Sequence, residues 1–161
     1  MAEIIRAHDD DWSLVREIRL RSLSTDPSAF GQSWEKESTY EDSIWKKRVR
    51  EAAWFLAIEA GQPVAVVAVR HEGDSPANER ELQAMWVLPS ARKGGIAVKL
   101  ADAVFDWSRE DEADTVTLYV GPNNEVAQSL YKALGFEDTG SRWEIIEDDP
   151  DGAWLKMARG L

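Results

Sequence analysis

The chain has 161 residues, 43% of them hydrophobic, no cysteine and a net charge of −11. That length suits one domain over residues 1–161 with a proper core, and eight tryptophans add large surfaces to bury. The composition excludes a disulfide scaffold, a thiolate metal site and a cysteine nucleophile, and the acidic balance opposes nucleic-acid binding, which needs clustered Lys and Arg.

No run approaches the roughly 18 apolar residues of a membrane span. Residues Met1 to Arg6 lack the basic-then-apolar pattern of a secretory signal, so a soluble, cytoplasmic protein is expected. His8 and His71 are far apart, and no metal site is expected from them.

In chain order, Glu3 to Arg6 reads as a strand. Asp9 or Asp10 then caps a helix with Trp12, Val15, Ile18 and Leu23 on its apolar face, ended by Asp26-Pro27. Ser28 to Thr39 reads as a loop, and Thr39 as the cap of a helix over about Tyr40 to Ala52. Trp54 to Glu59 and Pro63 to Arg70 form a hairpin, the second strand so apolar that both its faces should be covered. Glu72 to Asn78 is an exposed loop, Glu81 to Val87 a strand, and Gly95 to Glu110 a helix carrying Ile96, Leu100, Val104 and Trp107. Thr115 to Val120 is a strand. Asn123 or Asn124 caps the next helix, whose apolar side carries Val126, Ala127, Leu130, Tyr131 and Leu134, and Gly135 ends it in a left-handed conformation. Phe136 to Trp143 and Trp154 to Ala158 close the sheet around the acidic loop Glu147 to Asp151. The pattern predicts an α/β (α+β) domain with no repeat or linker.

The stretch Ser90-Ala91-Arg92-Lys93-Gly94-Gly95-Ile96-Ala97 lies between a strand and a helix. Glycines there let backbone approach a ligand, and a helix N-terminus offers free N–H groups to an anion. An ordinary helix start fits those residues equally well.

This segment resembles the acetyl-CoA signature of the GNAT superfamily, [RQ]-x-x-G-x-[GA], with Arg92, Gly95 and Ala97 at the fixed positions. Many relatives carry glycine directly after the Arg, where this chain has Lys93. Asn124-Glu125-Val126-Ala127-Gln128-Ser129-Leu130-Tyr131-Lys132-Ala133-Leu134-Gly135-Phe136 resembles the same family's N-x-x-A-x-x-L-Y-x-x-x-G-F motif. The resemblance implies the GNAT fold, a mixed and mostly antiparallel sheet of six to seven strands flanked by about four helices. It implies acetyl-CoA as co-substrate, with the pyrophosphate on Arg92, Lys93, Gly94, Gly95, Ile96, Ala97 and Val98. Met85, Trp86 and Val87 would meet the pantetheine arm through main-chain groups, and Asn124 and Ala127 would sit near the cofactor. It also assigns Tyr131 as the acid that protonates the departing thiolate.

An ammonium must lose a proton before it attacks a thioester. Glu81 is the first candidate for that base. Glu35 and Glu37 stand behind it, a water relay is an alternative, and His71 is expected to be exposed. Gln83 shares a strand face with Glu81, and Phe30, Trp34 and Tyr40 join the acceptor side, where aromatic faces suit amines. The expected activity is N-acetylation of a small-molecule amine by direct attack. A protein or peptide acceptor, or a non-catalytic acyl-CoA sensor, stays open. GNAT domains often dimerise, so a homodimer is compatible with the resemblance, while no nucleic acid, membrane or metal partner is expected.

Overall fold

The computed structural model describes residues 1–144 and 150–161. Of the acidic loop read from the sequence, Glu147, Asp148 and Asp149 lie outside the described residues.

A seven-stranded sheet runs in the order β1-β2-β3-β4-β5-β7-β6. Its strands are β1 (Glu3–Arg6), β2 (Ala53–Glu59), β3 (Gln62–Arg70), β4 (Glu79–Val87), β5 (Thr115–Val120), β6 (Glu137–Trp143) and β7 (Trp154–Gly160). Every neighbouring pair is antiparallel except β4 and β5, which are parallel. The helices are α1 (Trp12–Thr25), α2 (Trp34–Glu37), α3 (Asp42–Glu51), α4 (Ile96–Glu110) and α5 (Glu125–Ala133).

Strand alternation builds two cores from one sheet. Phe55, Ala57, Val67 and Val69 join Leu100, Val104 and Phe105 of α4 and Tyr131 of α5 on one side. Trp54, Leu56, Val66 and Ala68 join Val15 and Ile18 of α1 and Trp45 and Val49 of α3 on the other. β3 is buried along almost its whole length, as its unbroken apolar run predicts. Gly135, at φ 93°, follows α5 in the left-handed conformation expected of it.

Three sequence expectations need correction. The segment read as a loop holds α2, a single turn too short to show helical periodicity, capped by Ser33, whose hydroxyl accepts the Lys36 N–H. Thr39 does not cap α3. Its hydroxyl donates back to the Lys36 carbonyl at 2.6 Å, and α3 starts after Glu41 without a side-chain cap. Asp9 and Asp10 lie in a 3-10 turn ahead of α1, and Asp11 accepts the His8 backbone N–H at 2.8 Å.

A buried ion cluster ties α1, α2 and α3 together. Glu37 is only 1% exposed. It accepts from Arg19 Nε at 3.0 Å and Nη2 at 2.9 Å, and from Arg48 Nη1 at 2.7 Å.

Candidate active site

β4 is the strand around which the site forms. Its register with β3 breaks between the Val66–Trp86 and Ala68–Gln83 pairs, and Ala84 adopts φ 60°. This is a β-bulge, and it leaves Leu82 and Met85 on the same side of the sheet although they are an odd three positions apart. The parallel pairing of β4 with β5 covers only Glu79, Arg80 and Glu81 against Thr115, Val116 and Thr117. Beyond that point the two strands diverge. Their facing edges carry no ladder hydrogen bonds among the described residues, so backbone donors and acceptors are open to a ligand.

Two cavities open at this split, one of about 900 Å³ and one of about 960 Å³. Tyr131, Met85, Ala29 and Trp154 border both.

The 900 Å³ cavity is bordered by every residue predicted for the cofactor except Gly94. The turn at its mouth has Lys93 at φ 68° and Gly95 at φ 81°. Gly95 begins α4 without a side-chain cap, so the first N–H groups of that helix have no partner within it. Such groups, with the positive end of the helix dipole, suit an anion. The Arg92 side chain turns the other way: Nη2 pairs with Asp26 at 2.9 Å and Nε donates to the Val87 carbonyl at 2.9 Å. Trp86 Nε1 also donates to Asp26, at 2.7 Å. That bond first, and then Arg92, hold the Asp26 carboxyl below the usual carboxylate range. Asp26 thereby latches the end of α1 to the loop, and the loop backbone is left facing the cavity.

Lys93 occupies the left-handed region where many relatives of the motif have glycine. A side chain there costs about 1 kcal/mol, so Lys93→Gly is expected to raise the urea midpoint correspondingly.

Asn124, of the two capping candidates, caps α5, with its side chain accepting the Ala127 N–H at 3.2 Å. Val126 corrects an expectation: it is 84% exposed. Leu130 is only partly buried, and both border the cavity. The buried stripe of α5 is narrow, and its other apolar residues face the cleft.

Tyr131 is buried, edge-on to Phe136 with ring centroids 5.8 Å apart. Burial pushes its phenol above the usual range, so the hydroxyl keeps its proton. No side chain among the described residues bonds that hydroxyl.

The 960 Å³ cavity is bordered by Glu81, Gln83, Phe30 and Tyr40. Burial pushes the Glu81 carboxyl up; the hydrogen bond from Gln83 pulls it part of the way back, and the charge of Glu72 adds to the rise. The Gln83 amide donates to both Glu72 and Glu81, bridging the two carboxylates.

Trp34 and Glu35 border neither cavity, because α2 turns them outward, with Trp34 45% exposed. Glu37 does not suit the role of a base. Burial alone would raise its carboxyl, but Arg19 and Arg48 outweigh that and hold it below the usual range. His71 is exposed, with Nε2 2.8 Å from the Ser75 carbonyl. Sequence reasoning did not point to Arg48, Glu72, Tyr119, Trp143 or Trp154, which also border the acceptor-side cavity. No motif carries them. Tyr119 and Trp143 meet edge-on at 5.5 Å only because β5, β7 and β6 are neighbours.

Known proteins resemble this chain in sequence and in fold. Residues 12–136 match the profile of the Acetyltransferase (GNAT) family. Mouse N-acetyltransferase 8 is 33% identical over 100 residues, covering 61% of this chain and 44% of that protein. The Salmonella typhimurium aminoglycoside N(6')-acetyltransferase type 1 is 32% identical over 92 residues, covering 54% of this chain and 63% of that one. The chain thus spans about half the length of the curated relatives it matches. Among solved structures, an acetyltransferase of GNAT family from Streptococcus pneumoniae superposes with a TM-score of 0.82 at 15% identity, over 100% of this chain and 99% of that one. yncA from Salmonella typhimurium, solved with its cofactor acetyl-CoA, gives 0.79 at 16% identity, over 100% and 94%. At such identity the structures speak for the fold, while the profile match covers most of the sequence: the chain belongs to the Acetyltransferase (GNAT) family.

Proposed function

We propose that the chain transfers the acetyl group of acetyl-CoA to a primary amine of a small molecule. The observation that carries this reading is Tyr131, a neutral buried phenol bordering both cavities, one with an anion-suited helix start and the other with a half-buried carboxylate. The name of the Salmonella typhimurium aminoglycoside acetyltransferase supports a small amine as acceptor.

Acetyl-CoA supplies a thioester carbonyl open to attack by a neutral amine, with CoA leaving as the thiol. The backbone of Arg92 to Val98 binds its phosphates, and the free edge of β4 at Met85 to Val87 orients its arm. Asn124 and Ala127, at the start of α5, border the same cavity. Tyr131 holds a proton at its hydroxyl where the cavities meet. Glu81 takes the proton of the incoming ammonium, and its raised carboxyl suits that exchange better than an ordinary surface acid would.

Release of CoA thiol, followed over a panel of small amines, tests the reading. Glu81→Gln is expected to lower kcat/KM about 10²-fold and to remove the acid limb of its pH profile. Stability should move the other way. Because the folded carboxyl is raised, the native state holds its proton longer than the unfolded chain, and stability falls as pH rises from the ordinary value of 4.5 through the raised one. At pH 7 the Gln variant should therefore melt higher than the parent. A panel that releases no CoA above the rate without enzyme would contradict the proposal.

A further inference from the structure

We infer that the acceptor is an amine with a carboxylate at its far end, bound by Arg48 while the amine reaches Glu81. The inference deepens the acetyl-transfer reading and rests on it for what happens at Glu81.

Arg19 alone gives Glu37 a two-point partner, Nε on Oε1 at 3.0 Å and Nη2 on Oε2 at 2.9 Å. Arg48 is then a second cation on a single carboxylate, joined through Nη1 only, at 2.7 Å. The trio keeps a positive charge. Among the described residues no other acid pairs with Arg48, and its Nε and Nη2 donors bond to nothing. The guanidinium is fixed by three aromatic rings, with centroids 4.7 Å away at Trp45, 5.6 Å at Trp54 and 5.9 Å at Tyr40. Its side chain is 25% exposed, and the residue borders the 960 Å³ cavity. A held guanidinium with donors to spare is the fork that a carboxylate fits, and a desolvated surplus charge favours an anionic partner.

Two further observations agree. Among the described residues around this cavity, Lys and Arg outnumber Asp and Glu, although the whole chain is strongly acidic. Trp54, Ala68 and Gln83 are also paired in register across β2, β3 and β4. Two strand spacings, roughly 10 Å, therefore separate the Trp54 position, over which Arg48 lies, from the Gln83 position, whose amide holds Glu81. An acceptor spanning them has its amine and its anion several bonds apart.

The test measures calorimetric binding to the CoA-loaded protein of ω-amino acids of about three to eight carbons, against alkylamines and α,ω-diamines of equal length. One chain length of the amino acid should bind at least about tenfold tighter than both counterparts. Arg48→Met should erase that preference, and Arg48→Lys should keep part of it. The wild-type comparison stands even where the Met variant folds poorly. Equal binding at every length, tighter binding of the diamine, no binding by any of them, or a preference surviving Arg48→Met would overturn the inference. Binding is read without turnover, so the two readings can fail separately. A carboxylate preference with no CoA release from acetyl-CoA would sink the transfer reading and leave this one. Equal acetylation of plain alkylamines would do the reverse.

Discussion

Replacing Tyr131 with Phe is expected to lower kcat about 10³-fold, as loss of a positioned acid would, and to leave acetyl-CoA affinity unchanged. The ring stays, with its edge-on contact to Phe136, and so does the border between the cavities. Only the hydroxyl goes. Burial keeps that hydroxyl protonated at any working pH, so it is a donor rather than a base. Since no side chain among the described residues bonds it, its removal leaves no orphaned partner, and the melting temperature should hold or rise slightly. Steady-state kinetics together with a binding titration check this. Turnover within a few-fold of the parent would show that the phenol is not the proton donor.

The largest stability effect is expected at Glu37. Glu37→Ala should cost about 3–5 kcal/mol, because it leaves Arg19 and Arg48 facing each other without the carboxylate between them. Arg19 is buried and cannot turn to water, and its guanidinium already lies 4.9 Å over the Phe30 ring. Loosening of α2 and α3 should follow, and with it loss of the acceptor-side wall. The pH sign is fixed by the lowered carboxyl. The stabilisation is fully present above the ordinary value of 4.5 and is lost as pH falls below it, where the unfolded chain takes up its proton first. Urea unfolding at pH 7 and pH 4 should therefore give a wide gap between parent and variant that narrows on acidification. A variant within about 1 kcal/mol of the parent at pH 7 would mean that the cluster contributes no more than a surface pair.

Most elements could be read from the sequence because their signals are local. The unbroken apolar run of β3, the periodic apolar residues of α4 and the glycine after α5 each act within one segment. The cofactor-side residues are close in sequence for the same reason: one loop and one helix supply most of them. The acceptor side was harder to read. Arg48 meets Glu37 and Arg19 only after three helices pack, and Trp154 reaches Gly121 only across the β5–β7 pair. The β4 bulge left no mark either, since alanine rather than glycine holds the left-handed position at Ala84. Glu37 misled as a candidate base because the sequence around it shows nothing of Arg19 and Arg48, which pair with it only in the fold. Val126 misled because the apolar side of α5 is shared between core and cleft.

The loop from Arg92 to Val98 and the split between β4 and β5 are proposed to bind acetyl-CoA. The most direct measurement is the melting temperature with excess acetyl-CoA, with ATP and NAD as controls. A ligand at 100 times its dissociation constant stabilises its protein by about 2.7 kcal/mol, and a rise of that order with acetyl-CoA but neither control is predicted. No shift at millimolar acetyl-CoA, or an equal shift with ATP and NAD, would contradict the claim and reduce the loop to the start of α4.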